Sequence, residues 1–299
     1  MSNRPRAPWL PAALATSLLA GCAAQMQPVA DFGASANHLG AAYKPFTSDL
    51  QGSCEQQQRT VALSAPGNYD DEAVWRDAAA FCAQYKQAGA EAALLGDALS
   101  TYAVALVKLS GARATVFDAD IREGSSELGS MTHDGEPVID SKELSVATKA
   151  LRATALLVAE GKLQVLTKST LQDNQAPLEA VVDAMKRYAD RIYDHQLTDT
   201  RAVLESEHAG VVAASRAASA ADVPRVLPWR LAQLGLRADI DANKQAHDHV
   251  VAFDAAADAL VKAHADLLAN FDTLRGVKQL KQVQEFVAKV QALKAAAAL

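Results

Sequence analysis

Imidazoles and carboxylates close together in a chain are the raw material of metal binding and proton transfer. This sequence gathers them most densely at Asp241, His247, Asp248, His249 and Asp254. Such side chains hold zinc when three or four converge on one point. On a regular helix, however, positions i and i+2 lie about 200° apart, so His247 and His249 point to different sides. His247, His249 and Asp254 are therefore weak metal candidates; the expectation is a solvated polar face and no metal. His264 poses a different problem, because its neighbours at three- and four-residue spacing are apolar. A neutral imidazole in that position needs a hydrogen-bond partner; with one it is a core histidine, and the competing reading is a pH-sensitive switch. His195 stands one helical turn from Asp199, which suggests a local pair. His133, Asp134 and Glu136 fall in an acid-rich stretch that reads as a solvated loop.

The signatures of common catalytic sites are missing. There is no Gly-x-Ser-x-Gly, and the run Gly124-Ser125-Ser126-Glu127-Leu128-Gly129 has the wrong spacing for one. Neither His-Glu-x-x-His, nor Cys-x-x-Cys, nor a glycine-rich phosphate loop occurs. No catalytic residue and no cofactor is expected. The net charge of -6 also speaks against nucleic acid, which binds basic surfaces.

The N-terminus carries the most specific signal. Arg4 and Arg6 precede an apolar stretch from Ala7 to Leu19, followed by Leu19-Ala20-Gly21-Cys22. This is the layout of an export signal. Interrupted by Pro8 and Pro11, the stretch is shorter than the roughly 20 residues a spanning helix needs. The Leu19-Ala20-Gly21-Cys22 run resembles the lipobox of bacterial lipoproteins. The resemblance covers residues 1–23 and implies a diacylglycerol on the Cys22 thiol, cleavage before Cys22 and acylation of the new amine. Several acyl chains, at about 0.8 kcal/mol per buried methylene, make a stable anchor. Ala23, where inner-membrane lipoproteins tend to carry aspartate, implies the outer membrane. Removal of residues 1–21 leaves 27 basic against 35 acidic residues.

Two further cysteines, Cys54 and Cys82, would then enter an oxidising compartment. Between them lies the turn-forming run Ser64-Ala65-Pro66-Gly67-Asn68-Tyr69-Asp70, flanked by helical patterns. Asn68 is equidistant from both cysteines, so in an antiparallel hairpin they sit at one height, about 21 Å from the tip. Cys82 shares a stripe with Trp75, Ala78, Tyr85 and Gly89, and Cys54 a face with Tyr43, Phe46, Leu50 and Val61. A Cys54–Cys82 disulfide is expected.

These pieces predict an all-α protein, a bundle of about six helices, several long and antiparallel, with a disulfide-clamped N-terminal hairpin. Its composition, about a fifth alanine with few aromatics, agrees with helix. The expected plan is a signal over 1–21, the lipidated cysteine and a tether over 22–33, and a bundle over 34–299. The first hairpin spans about 34–62 and 71–110, its second arm keeping heptad spacing through Trp75, Ala78, Cys82, Tyr85, Gly89, Ala92, Gly96, Leu99, Ala103 and Leu106. Scattered glycines and acids weaken the pattern over 111–140, a possible boundary between two subdomains. Helix resumes after Asp140-Ser141 and runs to about Leu171, with Gly161 as a weak point. Asn174 to Pro177 reads as a turn, and Leu178, Val181, Met185, Tyr188 and Ile192 mark a helix reaching about Ala218. Pro224 and Pro228 suggest another turn. Val250, Phe253, Ala257, Leu260, His264, Leu267, Phe271 and Leu274 form an unbroken apolar seam. Gly276 breaks it, and Val277, Leu280, Val283, Val287 and Val290 describe a last helix.

The function expected from these features is a membrane-anchored, periplasm-facing scaffold or interaction module without enzymatic activity, meeting an envelope protein partner. A bundle whose apolar cavity binds a lipid or small ligand is the alternative, and an enzyme using dispersed acids comes third.

Overall fold

Val29, Phe32, Ala36, Leu39, Tyr43, Phe46 and Leu50 recur at steps of three and four residues, and all are fully buried in the computed structural model. The structure describes residues 26–65, 67, 69–111, 132–133, 136–137, 141–217, 223–274 and 277–297. The stripe runs through two helices, α1 (Gln27–Ala42) and α2 (Lys44–Leu63), separated only by Tyr43. Pro45 explains the interruption: without an N–H it cannot bond the carbonyl four residues back. Tyr43 stays in the right-handed helical region, so the pair behaves as one rod. Helix α1 begins at Gln27, so the expected tether over 22–33 is corrected in its second half. Val29, Phe32 and Gly33 are already interior.

Helix α3 (Asp71–Leu109) returns alongside this rod. The Asp70 carboxylate caps it by accepting from Ala73 N at 3.2 Å, and Asp71 and Glu72 complement the positive helix end. Its stripe is buried from Ala78 to Leu106 apart from the partly buried Tyr85, but Trp75 and Val61, expected on the shared face, are 53 % and 49 % exposed. They lie too near the hairpin tip to be covered. Glycines set the separation of the helices: a Cβ on Gly40 would lie 2.7 Å from the Gly96 carbonyl oxygen, and one on Gly96 would lie 2.9 Å from that of Gly40. A Cβ on Gly89 would likewise collide with the Thr47 carbonyl.

Beyond residue 111, Thr132–His133 and Glu136–Pro137 pair as a two-residue antiparallel ladder. Helix α4 (Ser141–Ala159) ends well before the expected Leu171. Gly161 takes φ +70, its N–H bonds Val158 O, and Lys162 N–H bonds Leu157 O. This is a Schellman stop, which needs the left-handed residue that glycine supplies.

Helix α5 (Lys168–Tyr188) starts at a Thr167 cap and passes straight through the turn expected at Asn174 to Pro177. Asn174, 3 % exposed, accepts from Thr154 Oγ1 at 3.0 Å and donates to Thr170 O at 2.7 Å. Burial of Leu171, Leu178, Val181, Met185 and Tyr188 outweighs the roughly 3 kcal/mol that an interior proline costs. A π-helical turn, Ala189–Asp194, joins α5 to α6 (His195–Ala217) without a break. Its wider turn advances the buried stripe by one residue. Tyr193 is 3 % exposed, whereas Ile192, expected on the stripe, is only partly buried.

Helix α7 (Val223–Ala269) is the longest, and it also overrides an expected turn. Pro224 falls in its first turn, where a missing N–H costs nothing, and Pro228 lies within it. A 3₁₀ turn, Phe271–Thr273, carries the seam onward to Leu274, and α8 (Lys281–Ala297) buries Val283, Phe286, Val290 and Leu293. Counting α1–α2 and α5–α6 as continuous rods, the described residues form six helical rods, in accord with the sequence reading.

Ring contacts fix their register. Phe32 meets His264, Tyr43 meets Phe253, and Phe46 meets His249, so α1–α2 runs antiparallel to α7. At 1.5 Å per residue, Ser64 stands about 55 Å along the rod from Gln27. At the Gln27 end, the proximal half, α1, α3, α4, α5, α7 and α8 surround one aromatic and aliphatic core. In the distal half α3, α2, α6 and α7 adjoin in that order. Cys54, Ala78, Cys82, Leu204, Val226 and Ile240 are buried there, yet stand apart from the main core.

Candidate functional site

The sites expected from sequence separate into three environments. Cys22, with Leu19, Ala20 and Gly21, lies outside the described residues, as does Asp134. Cys54 and Cys82 are joined by a disulfide, with Cα atoms 5.9 Å apart across 28 residues of sequence, within the range that bridge geometry demands. It clamps α2 to α3 in the distal half. Ser53 Oγ lies 3.0 Å from Thr200 Oγ1, and Ser64 bonds Glu207, so polar contacts attach α6 to the same clamped arm.

The weak metal candidates part company. His247 Nδ1 meets Asp194 Oδ1 at 2.5 Å. His249, expected on a solvated face, is instead 7 % exposed, a correction; the reversal of side over two residues that separates it from His247 turns it inward. Its ring centroid lies 4.9 Å from that of Phe46, and burial lowers its pKa despite the opposing influence of Asp49. Asp254 is 3.3 Å from Lys186 Nζ. Among the described residues no three histidine, cysteine or acidic side chains are placed to share a metal ion. Asp241 pairs with Arg237 at 3.4 Å and Asp248 is exposed.

His264 has found its partner: Nε2 lies 2.9 Å from the Tyr102 hydroxyl. Burial lowers its pKa to about 4, so the ring is neutral, with Phe32 and Tyr102 against it and Phe286 packed on Phe32. Tyr43 and Tyr188, with centroids 5.9 Å apart, are also held neutral, burial raising both phenol pKa values. These groups set register and carry no exposed nucleophile. His195 lies 3.5 Å from Asp199, as expected, but it faces outward because the π turn has rotated it off the buried stripe.

Around the π turn, Lys186 joins Asp258 at 2.6 Å and Asp254 at 3.3 Å. Burial would lower its pKa, but the two carboxylates outweigh that and raise it. Asp190 is raised by burial and by the charge of Asp254. The cluster ties α5 to α7 across the helix junction.

Sequence reasoning missed the exposed face at the distal end. Leu227, Leu231 and Leu234, at i, i+4 and i+7 of α7, are 49 %, 59 % and 69 % exposed. Nearby in level, the hairpin tip exposes Trp75, with the Arg59 guanidinium 3.9 Å above its ring. The leucine spacing was a readable signal, hidden by Pro228. No family model, curated protein or solved structure matches the chain.

Proposed function

We propose that this chain is a lipid-anchored, non-enzymatic helical scaffold of the bacterial envelope, held at the outer membrane through Cys22 with its body in the periplasm. The observation that carries the reading is the joined Cys54–Cys82 pair, a bond suited to the oxidising side of a membrane, downstream of Leu19-Ala20-Gly21-Cys22. A long rod whose buried histidine and tyrosines, His264, Tyr43 and Tyr188, are held neutral in an aromatic core supports a structural rather than a catalytic task. The competing lipid-cavity reading relied on small seam residues leaving space. Gly40, Gly89 and Gly96 instead bring backbones together.

Mass spectrometry of the N-terminal peptide from the native membrane is expected to find a diacylglyceryl, N-acylated Cys22. Cys22→Ala should accumulate as an uncleaved precursor. An unmodified Cys22 in the mature protein, or normal processing of the variant, overturns the anchor. Recovery of an enzymatic activity dependent on Asp134 or Glu136 overturns the scaffold.

A further inference from the structure

The first turns of α7 present an apolar stripe to solvent at the distal end of the rod. At 100° per residue, Leu227, Leu231 and Leu234 fall within about 60° of one another. The buried Val226 and the partly buried Gln233 and Leu236 occupy the opposite side, against the protein, while Trp229 on that side is 41 % exposed. Exposed Arg230 and Arg237 lie together about a quarter-turn from the stripe, Arg237 within 3.4 Å of the exposed Asp241 carboxylate, which it would exchange for phosphate. Between Glu207 and Asp239 the sequence has four arginines and a single acid, a local positive charge in a chain that is negative as a whole.

We infer that this face is a membrane-surface helix for anionic lipid, its leucines entering the acyl boundary while Arg230 and Arg237 meet the headgroup phosphates. An apolar stripe bordered by cations is the pattern that seats a helix in a bilayer interface. Guanidinium groups pair with phosphate through two parallel bonds. Charge argues against a second copy of the chain as the occupant: antiparallel pairing of two leucine stripes brings their flanking arginines together, with like-charge repulsion. The register places the stripe level with Ser64, about 55 Å from Gln27. On the anchor reading proposed above, on which this geometry rests, the rod spans from its own lipid to a second anionic surface.

The test uses the full mature protein reconstituted in phosphatidylcholine vesicles, with acceptor vesicles of phosphatidylcholine alone or mixed with phosphatidylglycerol, scored by clustering. Clustering only with the anionic acceptors, falling about tenfold in Leu231→Asp and weakening at high salt, is expected. Arg230→Glu, a surface change, should reduce it too. Circular dichroism verifies that both variants stay helical. Equal clustering with neutral acceptors, or none with either, overturns the inference, as does donor self-clustering abolished by Leu231→Asp, which would assign the stripe to a second copy. If the protein washes off the donors, the Cys22 reading has failed. Sedimentation of the released protein with anionic vesicles then still decides the stripe: binding upholds it and no binding overturns it.

Discussion

The two halves of the rod solve the same packing problem with different means. The proximal half has six helices and fills their centre with Phe32, Tyr43, Phe46, Tyr188, Phe253 and Phe286. Each of these helices buries a broad face, and the aromatic rings meet edge to face or tilted at centroid distances of 5.2–6.0 Å. The distal half has fewer helices, set side by side, and among the described residues it buries no aromatic ring: beside Leu204, Val226 and Ile240 its buried side chains are small or polar, such as Ala78, Cys82 and Thr200. With less apolar area to bury, it holds by a covalent bond and by hydroxyl contacts between α2 and α6. Area stabilises one half; linkage stabilises the other.

That contrast yields graded outcomes. The largest is expected from Phe253→Ala, which removes the ring packed on both Tyr43 and Phe46; it should cost about 3–5 kcal/mol in urea unfolding, with proximal and distal probes melting together. Replacing Cys54 and Cys82 together with serine should cost about 3.5 kcal/mol by the chain-entropy estimate for a loop of this length. Hydrogen exchange should place that loss in α2, α6 and the first half of α3, leaving proximal α1 protected. Equal loss of protection in both halves would mean that the division is not real.

Acid should act on the proximal half. His264 is held at a pKa of about 4 in the fold, below the ordinary 6.5 of an unfolded chain, so unfolding takes up a proton between those values. Stability is therefore full above pH 6.5, falls as pH drops to about 4, and has then lost about 3 kcal/mol. His264→Gln should flatten that slope in urea titrations at several pH values. The smallest effect is expected from Arg59→Ala, which removes the cation above Trp75 at the hairpin tip. It should cost about 0.5–1 kcal/mol, visible as a change in Trp75 fluorescence.

The features legible in the sequence are those that depend on local periodicity. The apolar seam of α7 and the level placement of Cys54 and Cys82 about Asn68 both follow from 3.6 residues per turn, and both are present. The missed features depend on tertiary energy. Pro177 and Pro228 announce turns by local propensity, yet lie within helices whose buried faces extend beyond them. The π turn replaces Ile192 with Tyr193 on the interior because α6 must present Leu197, Thr200 and Leu204, a demand set by α2 and α7. His249 illustrates the site itself: spacing showed that it could not share a metal with His247, but only the position of Phe46 shows which of the two turns inward.

The Cys54–Cys82 bond also has a mechanical meaning for any force applied to the chain. Tension drawn along the chain from its N-terminus reaches Cys54 and crosses directly to Cys82 through sulfur, bypassing the hairpin tip. The 28 residues spanned by the bond, equivalent to about 95 Å of extended chain, cannot be paid out under load. A stretched molecule in oxidising surroundings therefore lengthens by that much less than a reduced one, and its hairpin tip stays folded while the chain on either side is under strain.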